Sequence, residues 1–168
     1  MEVHRHVDPG ALYNIVDRLV KAIDDLDPGG KSRLRRNDLK SQASTEFNHL
    51  LNSIVLEKGE SCGEMSRYKW AWIMREMATT TIHHNPKVSF GQALAIHVDE
   101  PRVARLFNAQ GETAMEDVLG QVIQLLDQKA QDFDWAEVCH FLLAGQHQRE
   151  VIRRRIARSY YAVRSKQA

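Results

Sequence analysis

Apolar residues recur at spacings of three and four along most of the chain, the signature of helices that bury one face. Leu12, Ile15, Val16, Leu19, Ile23 and Leu26 form the first such stripe, entered after Asp8-Pro9. Asp27-Pro28-Gly29-Gly30 predicts its end, because proline and paired glycines break helices. A basic segment from Lys31 to Lys40 follows. Ser44 is the expected N-cap of a second long helix carrying Phe47, Leu50, Leu51, Ile54 and Val55 inward, with Lys58-Gly59 through Cys62-Gly63 as its end and a loop. Ser66 opens a third, with Trp70, Ile73, Met74 and Met77 on its inner side.

Thr79 to Lys87 is polar and β-branched with one proline, and reads as a linker. Beyond it, three capping boxes pair Ser89 with Gln92, Thr113 with Glu116, and Asp134 with Glu137. They predict helices near 89–97, 113–130 and 134–144. A shorter helix begins near Pro101 with Val103, Leu106 and Phe107, and the last runs from about Gln148 to Arg164 on Ile152, Ile156, Tyr160 and Val163. No alternating strand pattern and no internal repeat is present, so the expected fold is all-α. Two small helical bundles would bury these stripes, residues 1–85 as an N-terminal lobe and 86–168 as a C-terminal lobe.

Composition sharpens this picture in one respect, the placement of charge. The 168 residues carry 23 Lys and Arg against 22 Asp and Glu. Residues 31–40 hold a local +4 and residues 149–166 a local +6, while 99–137 hold −6. Such asymmetry suits a cationic surface offered to a polyanion and a second surface offered to protein neighbours. On the last helix Arg154 and Arg158 fall one turn apart on the outer face, with Arg149 and Arg153 on a neighbouring line. Two readings stand for this row: guanidinium groups following phosphates, or a solvated face whose cations favour a helix C-terminus. Arg67, Lys69 and Arg75 alternate with Tyr68, Trp70 and Trp72, a pattern able to grip a single strand. At this spacing Trp70 reads as core, leaving Trp72 as the aromatic open to exposure.

Catalytic and ligand signatures are missing. There is no phosphate-binding glycine loop, no G-x-S-x-G and no H-E-x-x-H. The eight histidines lie at spacings unsuited to a four-ligand zinc site, so no metal and no cofactor is expected. Cys139 falls on the apolar side of its helix and makes a poor nucleophile with His140. The two cysteines, Cys62 and Cys139, suggest reduced thiols. With no apolar run of membrane length and no signal-like N-terminus, a cytoplasmic protein without a small-molecule substrate is the expectation.

Four blocks in the C-terminal half carry a resemblance: Val88-Ser89-Phe90-Gly91-Gln92-Ala93-Leu94-Ala95, Arg102-Val103-Ala104-Arg105-Leu106-Phe107, Asp134-Trp135, and Ile156-Ala157-Arg158-Ser159-Tyr160-Tyr161. In order and spacing they resemble the CasB family, the small subunit of the type I-E CRISPR surveillance complex, Cascade. The N-terminal half is similar more loosely, through Leu34-Arg35-Arg36 and Ser66-Arg67. The resemblance implies an all-helical, non-catalytic subunit of an antiviral ribonucleoprotein. It implies as partners the other Cascade subunits, a second copy of the chain, the guide RNA–target DNA heteroduplex and the displaced single-stranded DNA. Arg36, Arg67, Arg102 and Arg149 match basic positions of that family. Asn108-Ala109-Gln110-Gly111 and Val118-Leu119-Gly120 depart from it, lacking basic residues found there in some members.

The expected nucleic-acid contacts are therefore Arg35, Arg36, Arg67, Lys69, Arg102, Arg149, Arg153, Arg154 and Arg158. Two rivals remain: a helical adaptor that binds only proteins, and a helical DNA-binding regulator. The regulator fits less well, since the basic residues fall in two separated segments and not in one recognition helix.

Overall fold

The computed structural model describes residues 8–56 and 62–168. Nine α-helices and one π-helical turn occupy the described residues, with no strand among them. The all-α expectation holds. Backbone contacts gather the chain into two units: one runs to Thr80 and takes in Leu142–Gly145, the other comprises Thr81–Phe141 and Gln146–Ala168.

In the first unit, α1 (Pro9–Asp24) starts where Asp8 accepts the Gly10 N–H at 3.3 Å, and buries Leu12, Val16, Leu19 and Ile23. The predicted breaker after it does more than break. Asp27 accepts the Gly30 N–H at 2.8 Å, Pro28 sits where a helix needs no N–H, and together they open α2 (Pro28–Arg35). The first half of the basic segment, residues 31–35, is thus helical, which the sequence reading missed.

Ser44 caps α3 (Thr45–Leu50) by accepting the Phe47 N–H at 3.2 Å. The long helix expected here widens into a π-helical turn, Leu51–Val55, so Leu51 is buried but Ile54 and Val55 are only half so. Residues 57–61, where that helix was expected to end, lie outside the described residues. Helix α4 (Glu64–Thr79) begins two residues ahead of Ser66 and buries Lys69 through Met74 without interruption. Trp72 is therefore core, against the sequence reading; a helix covered nearly all round loses the amphipathic signal that separates faces.

In the second unit the stretch read as a linker is an ordered strap. Thr81 donates its N–H and Oγ1–H to Asp127 Oδ1 at 2.8 and 2.9 Å, and the His83 N–H reaches Asp132 Oδ1 at 2.9 Å. An isolated bridge pairs His84 with Phe133, and the Asp134 N–H reaches the Val88 carbonyl at 2.9 Å.

Helix α5 (Phe90–His97) forms the predicted capping box in full: Gln92 N–H to Ser89 Oγ at 3.2 Å, and Ser89 N–H to Gln92 Oε1 at 2.9 Å. Asp99 caps α6 (Glu100–Asn108) through the Arg102 N–H at 3.3 Å. The Thr113–Glu116 box does not form. Gly111, at φ 81°, turns the chain directly into α7 (Glu112–Gln128), so Thr113 is already inside the first turn. Before α8 (Trp135–Leu143), Asp134 accepts the Ala136 N–H at 2.9 Å. Glu137 does not turn back to it; its Oε2 accepts the Phe90 N–H at 3.3 Å and ties α8 to α5.

Helix α9 (Gln146–Gln167) packs Ile152, Ile156 and Tyr160 inward. Gly91 is what admits it. A Cβ there would stand 2.4 Å from the Ile156 carbonyl oxygen and 2.7 Å from the Ser159 Cβ, so α5 and α9 meet at backbone distance. Phe90, Phe133 and Trp135 fill the space beside them, with successive ring centroids 5.2 and 4.9 Å apart.

Candidate nucleic-acid interface

With Ile152, Ile156 and Tyr160 buried, the 100° step of a helix turns Arg154 and Arg158 to the opposite side of α9. Both are exposed. Arg158 makes no hydrogen bond or ion pair that the described residues show, and Arg154 has only a 3.5 Å approach of its Nε to Glu150 Oε1. The neighbouring line is differently engaged. Arg153 grips Glu150 through Nε at 3.0 Å and through Nη2, and also reaches the Phe107 carbonyl at 3.4 Å. Those hydrogen bonds, with Arg153 the foremost, hold the Glu150 carboxyl below its ordinary range.

Arg149 is a staple. Its Nη1 and Nη2 meet the two oxygens of Glu112 at 2.9 and 3.4 Å, and its Nε donates to the Phe141 carbonyl at 3.0 Å. Arg164 likewise donates to the Val98 carbonyl at 2.8 Å, its guanidinium 5.4 Å from the Tyr160 ring centroid. Arg102 on α6 is exposed, with Asp99 a loose 3.8 Å neighbour. Arg105, one turn further, is exposed as well and was not singled out from the sequence. The signal was present: residues three apart share a helix side.

In the first unit Arg35 donates to the Ala78 carbonyl and Arg36 folds back on Ser32, though both residues remain exposed. Arg67 is half-buried, donating to Asn48 with its guanidinium 5.2 Å from the Phe47 ring centroid. Lys69 is buried. Within α9 the structure therefore brings Arg153 and Arg154 to Glu150, leaves Arg158 exposed one turn beyond Arg154, and separates from them the interior duties of Arg149.

A second polar cluster lies within the second unit. Trp135 donates its N–H to His84 Nδ1 at 3.1 Å, Asp134 Oδ1 lies 3.8 Å from the same nitrogen, and Arg155 approaches His140 at 3.5 Å. Burial pushes the Asp134 and Glu137 carboxyls up from their ordinary values. The folded chain thus holds these protons more readily than the unfolded chain. Their contribution to stability is full below the ordinary value of 4.5 for a glutamate and is lost as pH rises through the raised value. Glu137→Gln keeps an oxygen for the Phe90 N–H and removes the titration. Urea unfolding of both proteins from pH 4 to 8 is expected to show wild type losing ground to the variant as pH rises. A constant difference would mean that Glu137 titrates alike in both states.

Among the described residues no group of three or more His, Cys, Asp or Glu is placed to hold a metal ion. Cys139 is fully buried and its thiol pushed strongly up by desolvation, which removes the thiolate a nucleophile needs. No described helix is long and apolar enough to cross a membrane.

The family model of CRISPR-associated protein Cse2 matches residues 31–161. The chain belongs to the Cse2 family. Cse2, also called CasB, is the small subunit of the type I-E Cascade in CRISPR defence, generally a non-catalytic one, and the resemblance seen in the four sequence blocks is borne out. Among solved structures the crystal structure of M. ruber CasB is similar, with a TM-score of 0.68 at 20% identity over 89% of this chain and 94% of that one. That likeness carries the fold. No curated protein matches. On α6 and α9 the exposed arginines include Arg102, Arg105, Arg154 and Arg158, whereas Arg149 and Arg164 are tied to carboxylate or carbonyl partners.

Proposed function

We propose that this chain acts within Cascade as a non-catalytic subunit that follows nucleic-acid backbone without reading sequence. It steadies the guide–target heteroduplex and the displaced DNA strand, in the cytoplasm, beside other Cascade subunits and a second copy of itself. The two units serve as separate helical lobes of that subunit. The observation that carries this reading is the Arg154–Arg158 row: two exposed guanidinium groups one turn apart on a helix whose other face is buried. Phosphate contacts without base contacts give affinity and register but no sequence choice, and in RNA-guided recognition base pairing supplies the choice.

The test is a titration of the chain against labelled single-stranded DNA, random duplex and RNA at two salt concentrations. Three phosphate contacts, from Arg102, Arg154 and Arg158, correspond to a slope of about −2 in log K against log salt on single strands. A preference of about a thousandfold for one duplex would instead establish a regulator. The adaptor reading has its own support in Val151 and Tyr161, exposed apolar residues on α9. Binding that ignores salt, or is absent even with partner subunits supplied, would put the adaptor first.

A further inference from the structure

Helices α6 and α7 leave a groove of about 260 Å³ between them, lying wholly in the second unit. Its α6 wall is Arg102 and Arg105, both exposed. On α7 the floor is Val118, Val122 and Leu125, and one edge of that apolar stripe carries Gln121, Gln124 and Gln128. No acidic residue lines the groove, although residues 99–137 carry nine acids against three bases. The chain's most acidic stretch thus turns two cations and three amides toward one cleft. That selection asks for a ligand with negative charge at one end and a flat, hydrogen-bonding body at the other.

Resting on the backbone-binding reading above, we infer that this groove receives one unstacked base of a single-stranded nucleic acid. The adjoining phosphate lies against Arg102 and Arg105, whose guanidinium groups offer paired donors. The base lays its face on the Val118–Val122–Leu125 ledge, since every base has an apolar π-face whatever its sequence. Its edge meets the glutamine amides. Each amide presents donors and an acceptor and reverses by rotation, so the edges of all four bases are served. The volume lies just below the roughly 300 Å³ at which sites for whole small molecules begin, which leaves room for a base. The affinity this adds is independent of sequence, in keeping with a subunit that leaves sequence to base pairing.

The experiment compares a labelled single-stranded oligonucleotide with an abasic one of the same length, label and charge, by fluorescence anisotropy on the full chain. Wild type is expected to bind the base-bearing strand about tenfold more tightly, the size of one good edge contact. Gln121→Ala/Gln124→Ala should bring that strand down to the affinity of the abasic one, with melting curves showing that the variant is folded. Arg102→Ala/Arg105→Ala should weaken both strands. Gln124→Glu, a negative charge added to the groove, should also weaken both strands. Equal, salt-sensitive binding of the two strands by wild type would overturn the base site and leave backbone binding standing. Binding of neither strand would overturn both.

Discussion

Alanine at position 91 is expected to destabilise the chain by about 2–3 kcal/mol, near the upper end for overpacked cores. The new Cβ would press on the carbonyl oxygen of Ile156 at 2.4 Å and the amide nitrogen of Tyr160 at 3.0 Å. Both are backbone atoms of α9 and cannot step aside by changing rotamer. Alanine also favours the helical state over glycine by about 1 kcal/mol or less, a gain too small to offset the clash. For a chain of this length the melting temperature should fall by about 4–12 °C. Gly145→Ala is the control, since nothing lies within 4 Å of its would-be Cβ; its change should stay within about 0.5 kcal/mol. If Gly91→Ala melted at or above the wild-type temperature, the close approach of α5 to α9 would be wrong. The consequence reaches the surface, because α9 displaced from α5 also moves Arg154 and Arg158.

The second large effect separates arginines that bind from arginines that build. Arg154→Ala/Arg158→Ala is expected to lower affinity for single-stranded DNA about tenfold at low salt, and to reduce the magnitude of the salt slope by about 1.4, two contacts at about 0.7 each. Its melting temperature should hold, since neither side chain supports a neighbouring helix. Arg149→Ala should do the reverse. It removes a paired, half-buried cation from Glu112 and leaves the Phe141 carbonyl without that donor, a loss of about 1–3 kcal/mol. Its salt slope should match wild type wherever the protein remains folded. An Arg149→Ala slope reduced like that of the double variant, at unchanged stability, would make Arg149 a phosphate contact after all.

Much of the fold was legible. The stripe from Leu12 to Ile23 and the Ser89–Gln92 box lie where periodicity and capping chemistry put them, because both depend on residues a turn apart. Features decided by competition were less so. Pro28-Gly29-Gly30 reads as a stop until Asp27 is recognised as the cap that makes it a start. Thr113 is a sound cap by type, but Gly111 with its positive φ begins the helix first. The π-helical turn at Leu51–Val55 has no composition of its own and could not be read. The basic character of α9 was equally plain in sequence. Which cations are committed inward was not, since the partners of Arg149, Arg164 and Arg35 are carbonyls or carboxylates 8 to 66 residues away. The α6–α7 groove escaped because glutamines and valines declare nothing until two helices face each other.

Glu150 has a bearing on time as well as on affinity. By gripping Arg153 and approaching Arg154, it mutes the field that these two cations cast into solvent, whereas Arg158 projects its charge undiminished. Long-range attraction governs how fast a polyanion arrives; short-range pairing governs how long it stays. If a strand binds α9 as proposed, Arg158 is the member of this group that adds most to the encounter rate. On the same proposal Arg153 and Arg154 would act on the dwell time, since phosphate must first displace the Glu150 carboxylate from them.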